Sequence, residues 1–409
     1  MLLDNFIEIN PKVKLEKGVE YPFVEMGNVT PRRRYVFAKS KRQYSGGGSR
    51  FCSGDVLIAR ITPCLENGKI AQYKSPNKDA FGSTEFIVFR EKPGVSYQPY
   101  IYYLALTDII RKPAEKSMFG ASGRQRADLS LIKNIEVPDI SLPTQRKIAA
   151  ILSAYDDLIE NNLRRIKILE EMAQSIYNEW FVKFRFPGHE KVSMVVSPLG
   201  RMPSEWEIKP IGNAVQILGG GTPSTKNPEY WDSGNIVWFT PSDLTSTAQM
   251  FISDSVKKIT IEGLQESSAK LFPAYSVMMT SRATIGVVAI NTIGACTNQG
   301  FIICIPNEEV PASILYYWIL NSKERIVNLA SGATFKEISR GEFREFPIII
   351  ANHDIVILFD QAMTPIFKEI ECLLLQNRNL RYTCDLLLPK LVSGEIDVSN
   401  LDIKMGDDE

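Results

Sequence analysis

Two stretches of the chain carry apolar side chains at alternating steps of three and four residues, the seam of a helix that packs along its length on another helix. In the first the seam runs Ile159, Asn162, Ile166, Leu169, Ala173, Ile176 and Trp180, with no Gly or Pro before Pro187-Gly188. In the second it runs Ile366, Ile370, Leu373, Asn377, Leu380, Cys384, Leu387 and Leu391, with Gly394 just beyond. Each long helix has about 30 residues and measures about 45 Å at 1.5 Å per residue. A short helix is expected before each. "TQRKIAAIL" would end where Ser153 offers an N-cap, with Asp156 as a capping-box variant. "HDIVILFD" would end before Pro365, which suits a first helical turn. So narrow a stripe, occurring twice, predicts that the two long helices pack on each other, Asn162 and Asn377 fixing their register. The competing reading has each helix burying its stripe on its own globular half.

The regions before the helices show short β-type runs instead: "DVLIAR", "TEFIVF", "SVMMTS" and "GFIICI". These belong to a weak repeat with a period of about 210 residues. "FCSGDVLIAR" (51–60) pairs with "FPAYSVMMTSR" (272–282), "TEFIVF" (84–89) with "QGFIIC" (299–304), and "PYIYYLAL" (99–106) with "SILYYWIL" (313–320). "ASGRQRADLSLIKNIEVP" (121–138) pairs with "ASGATFKEISRGEFREFP" (330–347). Each half mixes short strands with one helix around its Tyr-Tyr pair, without the strand–helix alternation of a Rossmann-type sheet. The organisation expected is a globular half at 1–142, a helical arm at 143–184, a linker rich in Pro, Gly and Ser at 185–204, a second half at 205–350, a second arm at 351–394 and an acidic tail at 395–409.

A chain of 409 residues exceeds one ordinary core, in keeping with several domains. Net charge is zero, but residues 1–142 hold 22 Lys and Arg against 15 Asp and Glu, a modest pointer to polyanions. The six cysteines are scattered without Cys-x-x-Cys spacing and read as free thiols. Only two histidines occur, neither with a ligand partner at helical spacing, which argues against zinc and against a His-based triad. The N-terminus lacks a signal pattern and no run reaches membrane-spanning length, so a cytoplasmic protein is expected.

"LGGGTPSTKNPEYW" (218–231) poses the chemical question. A phosphate loop needs Gly-x-x-x-x-Gly-Lys-[Ser/Thr], but Lys226 follows Thr225 and precedes Asn227. "NPEY" lacks the second proline of an amino-methylating catalytic loop, and no glycine-rich cofactor loop with a following acidic residue accompanies it. The stretch reads as a surface turn. Gly219 to Gly221 permit positive φ and close backbone approach, Pro223 and Pro228 stiffen it, and Tyr230 and Trp231 anchor it. Gly220, Thr222, Ser224, Thr225 and Lys226 are then candidate donors to a phosphate backbone.

Three longer stretches resemble one family. "LGGGTPSTKNPEYWDSGNIVWFTPSDL" (218–244) is similar to the opening of a target recognition domain in the DNA specificity subunits of type I restriction-modification systems. "LPTQRKIAAILSAYDDLIENNLRRIKILEEMAQSIYNEWF" (142–181) resembles their central helical region, and "LLLPKLVSGEIDV" (386–398) the end of their distal one. The first half departs most, lacking a "GGTPST" copy. The resemblance implies an α+β fold: two mixed α/β target recognition domains in pseudo-two-fold repeat, separated by two long antiparallel helices forming a coiled coil. It implies double-stranded DNA as ligand, each half reading one part of a split, asymmetric target. Two modification subunits would dock on the arms, and restriction subunits would complete the complex. S-adenosylmethionine, ATP and Mg would sit on those partners, with no cofactor, metal or catalytic residue in this chain and no membrane. The rival readings are a single-chain DNA methyltransferase or nuclease, and a pure coiled-coil scaffold.

Base reading needs Arg, Asn or Gln at the groove, and phosphate binding needs clustered cations. Arg32, Arg33, Arg34, Lys39, Lys41 and Arg42 cluster around Tyr35, Phe37 and Tyr44. Arg60 and Arg282 end comparable strands, and Arg124, Gln125 and Arg126 have Thr334 and Lys336 at the comparable place in the second half. At the end of the first arm, Tyr177, Trp180, Phe181, Phe184 and Phe186 are either core packing or an apolar patch for a modification subunit.

Overall fold

The structure, a computed structural model, describes residues 1–76, 79–121, 123–331 and 336–403. The chain divides into two compact units, Met1–Asn161 with Asn377–Glu409, and Asn162–Gln376. Each unit therefore owns a section of both long helices, Leu142–Tyr177 and His353–Ser393.

In the first unit a five-stranded sheet has the order Ile7–Ile9, Phe86–Glu91, Val56–Ala59, Ile70–Tyr73, Tyr35–Val36. A four-stranded sheet, Ser40–Gln43, Glu20–Val24, Asp79–Gly82, Ser49–Cys52, covers one of its faces. Strand Val56–Ala59 is buried on both sides. Leu57 points to the second sheet with Phe51 and Tyr73, while Val56 and Ile58 point to helix Gln98–Leu106 and the long helices. That two-sided burial is why "VLIA" is continuously apolar rather than alternating. Residues 395–403, expected as tail, are folded: Val398 is buried with Leu391 and Val392, and Lys147 Nζ donates to the Ser399 carbonyl at 2.6 Å.

The second unit repeats the plan. Its five-stranded sheet runs Gln216–Gly219, Phe301–Ile305, Val277–Thr280, Val288–Asn291, Phe251–Ile252, faced by Lys257–Ile259, Ile236–Phe239 and Ala295–Thr297. Ala59 pairs with Phe86 as Thr280 pairs with Phe301. Helix Gln98–Leu106 carries Tyr102 and Tyr103 edge to face at 5.1 Å, and helix Ala312–Leu329 carries Tyr316 and Tyr317 likewise at 5.1 Å. Even the unusual backbone recurs: Arg32 (φ 62°) and Ala248 (φ 48°) stand just before the matching parallel edge strands.

The helices differ from expectation in continuity. Ser153 caps nothing; its hydroxyl donates to the Ala150 carbonyl within one unbroken helix. Pro365 likewise lies inside a 41-residue helix. The carbonyl of Gln361, four residues back, loses its donor at a place where both residues are exposed to solvent. Asn162 and Asn377 are each 1% exposed. Ile159, Ile166, Ile370 and Leu373 are buried, and Leu169, Ile176, Leu380 and Leu387 half-buried. Within the second unit the helix sections run antiparallel, Asn162 donating to Gln376 at 3.4 Å and Arg165 to Glu369 at 2.5 Å.

The segment read as a linker, 185–204, contains a hairpin, Met194–Ser197 with Gly200–Pro203. Phe186 and Met202 are buried with Trp206. The aromatics at the end of the first arm are core. Tyr177 and Phe181 stack at 5.2 Å, Phe181 meets Phe359 edge-on at 4.8 Å, and Trp180 and Phe184 pack against the same cluster. Tyr177, Phe181 and Phe186 are buried, and Trp180 and Phe184 half-buried against them. No described helix is long and apolar enough to cross a membrane.

Candidate nucleic-acid interface

In each unit three loops meet at one end of the central strands, tied by matching backbone bonds. In the first, Arg60 N–H donates to the Glu85 carbonyl (2.9 Å), Ala127 N–H to the Arg60 carbonyl (2.8 Å) and Thr62 N–H to the Gln125 carbonyl (3.0 Å). In the second, Ser281 N–H donates to Gly300 (2.8 Å), Ile338 N–H to Ser281 (3.0 Å) and Ala283 N–H to Lys336 (3.1 Å).

These bonds correct the alignment of the repeat. Arg60 corresponds to Ser281, not to Arg282, and Gln125 corresponds to Lys336. Arg126 then corresponds to Glu337, each bridging the segment after the central strand. Asp128 and Ser339 correspond as N-caps of helices Leu129–Lys133 and Arg340–Arg344. The second loop is two residues longer than the ungapped match allowed. Thr334 lies outside the described residues.

The side chains on this shared backbone differ in sign. Arg126 gives two bonds to the Glu85 carboxylate, from Nε at 3.0 Å and Nη2 at 2.7 Å, and Arg60 approaches the same carboxylate at 3.4 Å. The Arg126 hydrogen bonds hold Glu85 below the usual carboxylate range despite its partial burial. In the second unit Glu337 occupies the Arg126 position and receives Arg282 through two bonds of 3.0 Å. Neither acid stood out in the sequence, because a lone glutamate beside a strand carries no signal until its arginine partner is placed. Phe119, 61% exposed in the first loop, was also missed; an apolar residue inside "MFGASG" was its only trace.

The basic cluster of the first half divides. Arg32 pairs with Asp385 at 2.9 Å, Arg33 with Glu160 at 3.1 Å, and Arg34 is buried, bonded to Gln72, 4.0 Å from Asp157 and over the Tyr35 and Tyr103 rings. These three hold the sheet to the helices within the first unit. Arg42 pairs with Glu25 and lies 4.0 Å over the Phe23 ring. Lys39 and Lys41 are exposed, as are Arg124, Lys226 and Lys336.

The glycine stretch is built differently from expectation. Gly219, Gly220 and Gly221 all keep ordinary negative-side φ. They are needed for close approach: a Cβ on Gly220 would lie 2.0 Å from the Asn298 carbonyl oxygen, and one on Gly221 2.3 Å from Ser268. Trp231 Nε1 donates to the Ser224 carbonyl at 3.1 Å and stands edge-on to Trp238, whose own Nε1 donates to Gly221 at 2.9 Å. Thr222 is engaged with Gln299 at 2.6 Å, while Ser224, Thr225 and Lys226 are exposed at the tip. The arrangement offers hydroxyls and one cation on a stiff base, groups suited to phosphate oxygens.

Comparison with known proteins places this geometry. A family model described as the type I restriction modification DNA specificity domain matches twice, over residues 8–171 and 203–371. The chain is 24% identical over 405 residues to the type I restriction enzyme HindI specificity subunit of Haemophilus influenzae, covering 84% of this chain and 86% of that protein. It is 36% identical over 171 residues to the MjaIX specificity subunit of Methanocaldococcus jannaschii, a match spanning 41% of this chain and 38% of that protein's length. Among solved structures, the S subunit of a type I restriction-modification system from M. genitalium has the same fold, with a TM-score of 0.50 at 17% identity over 96% of this chain and 95% of that one.

Proposed function

The chain belongs to the type I restriction modification DNA specificity family, and from that premise we propose that it directs a multi-subunit complex to a split, asymmetric DNA sequence. The observation that carries this is the duplication. One loop framework occurs twice, with Arg126 in one copy where the other has Glu337. Arg126 is held by Glu85 and Glu337 by Arg282, so one backbone presents a different set of charged groups in each copy, and two such copies suit two different half-sites. Exposed Lys39, Lys41, Arg124, Lys226 and Lys336 supply phosphate contacts that set orientation.

The chain itself performs no chemistry in this reading. Two modification subunits dock on it and methylate adenine with S-adenosylmethionine, restriction subunits add ATP- and Mg-dependent cleavage, and the long helices set the unread gap. The test is genome-wide mapping of methylated adenines in cells carrying this chain with a cognate modification subunit, against cells lacking it. A split asymmetric motif that disappears with the chain is the expected result. Methylation unchanged by its loss, with the modification subunit active, overturns the reading.

A further inference from the structure

The second unit contains a cleft of about 520 Å³ between one end of its five-stranded sheet and helix His353–Ser393. Its floor is apolar, with Phe251, Ile290, Ile305 and Phe367. Its rim carries the carboxyl groups of Glu308, Asp360 and Glu371, against one cation, Lys368. The first unit provides an internal control for what this space means. At the corresponding positions it is filled by a polar network. Arg90 gives two bonds, 2.7 and 2.6 Å, to Asp55, and Gln72 bonds the Gly54 carbonyl at 3.0 Å and Arg34 at 3.4 Å. Strand register places Ile305 where Arg90 stands, Ile290 where Gln72 stands and Met250 where Arg34 stands. The second unit keeps the backbone but omits the filling.

Tyr275 is the second observation. Its N–H bonds Asn291 as the N–H of Gly54 bonds Tyr73, so the two residues correspond. Gly54 has φ +102°. Tyr275 has φ +63°, a conformation disfavoured for any side chain with a Cβ, and it is 50% exposed at the mouth of the cleft. Its hydroxyl donates to the Glu371 carboxylate at 3.3 Å. Backbone strain kept at a half-exposed aromatic beside an open apolar cleft is the pattern of a binding site.

We propose that this cleft is a protein-docking site that receives an apolar side chain flanked by lysine or arginine, on a segment of a modification subunit. Three carboxyl groups against one cation repel a phosphate backbone, which excludes DNA, and they attract a cationic neighbour of the inserted apolar group. A floor with two phenylalanines and a tyrosine at the rim matches the composition of interface anchors. The inference rests on the proposed role as specificity subunit, and it makes the two units unequal in partner binding, because the corresponding positions of the first unit carry the Arg90–Asp55 and Gln72 network instead.

The test uses the full chain with a purified cognate modification subunit. Glu371→Lys is expected to weaken association at least tenfold by titration calorimetry, Glu371→Gln several-fold, and Thr364→Trp, which fills the cleft, at least tenfold. Unfolding midpoints should stay near that of the parent; if Thr364→Trp fails to fold, the two Glu371 variants decide. A photo-crosslinking benzoyl-phenylalanine at position 364 should join a segment with an apolar residue next to Lys or Arg. Normal affinity in all variants, with no crosslink, overturns the inference and leaves the functional reading intact. So does a crosslink to a second copy of this chain, or a loss of DNA affinity with partner affinity unchanged. Failure of the parent chain to bind the modification subunit overturns the functional reading, and this inference with it.

Discussion

The Arg33 guanidinium donates to both oxygens of the Glu160 carboxylate, at 3.1 and 3.3 Å, and so binds the loop before strand Tyr35–Val36 to the first long helix within the same unit. Arg34 beside it is only 6% exposed. It lies over the Tyr103 ring, and Tyr103 in turn donates to Asp156 at 2.7 Å. At the matching place the second unit has Met250 and Phe251, the latter edge-on to Phe367 at 5.7 Å. One joint is electrostatic and the other apolar. Of three consecutive arginines that look like a DNA-binding run, Arg33 and Arg34 are therefore engaged within the unit, while Arg32 pairs with Asp385 at the exposed surface.

This separates two kinds of cation. Arg34→Ala removes a buried guanidinium and its ring contact, costing about 2 kcal/mol. The unfolding midpoint should fall by about 4–8 °C, with the salt dependence of DNA binding unchanged. Lys39→Ala and Lys41→Ala should do the reverse, each lowering the slope of log affinity against log salt by about 0.9 with no shift in midpoint. Salt titration of the assembled complex beside calorimetry distinguishes them. A reduced slope for Arg34→Ala would mean that it leaves its pocket on DNA.

The sequence made the architecture legible where burial leaves a periodic trace. Narrow seams gave both long helices, and the two-sided burial of Val56–Ala59 and Val277–Thr280 gave the central strands. Helix continuity was hidden because Ser153 and Pro365 are local stop signals, overridden by burial of residues on either side of them, Leu152 and Ile159, Met363 and Phe367. The register of the repeat was hidden at the loops. Arg60 and Arg282 attract alignment by identity, but the backbone matches Arg60 to Ser281. The candidate arginines could not be sorted because their acidic partners lie 17 to 353 residues away in sequence, as Arg42–Glu25 and Arg32–Asp385 show.

Gly220 offers a sharp test of the loop. An added methyl group would sit 2.0 Å from the Asn298 carbonyl oxygen and 2.3 Å from that of Thr297, both backbone atoms that cannot rotate away. Gly220→Ala should cost about 3 kcal/mol and abolish recognition by the second half while the first half still folds. Gly47→Ala, where nothing lies within 4 Å, is the matched control. Differential scanning calorimetry resolves the two, and an unchanged midpoint for Gly220→Ala would show that the loop rearranges cheaply.

Asn162 is buried in the helix pair of the second unit, with a long 3.4 Å bond to Gln376. A buried amide at a seam position trades stability for register. Asn162→Leu should raise the unfolding midpoint by about 2–4 °C, for about 1 kcal/mol, and light scattering should reveal new oligomers as register loosens. A lower midpoint with a monodisperse chain would assign the amide a purely stabilising role.

Glu170 makes the second unit sensitive to pH. Burial, with Glu171 beside it, pushes its carboxyl up to about 7. The folded form then holds a proton that the unfolded chain, with the ordinary carboxyl value of 4.5, has already lost. Between those two values stability falls as pH rises, and above about 7 the full penalty of a half-buried charge remains. Glu170→Gln removes the titration, so the variant should melt higher than the parent at pH 8 and level with it at pH 4. Melting curves of both proteins across that range decide the matter; a constant gap between them would place the effect in packing and not in the proton.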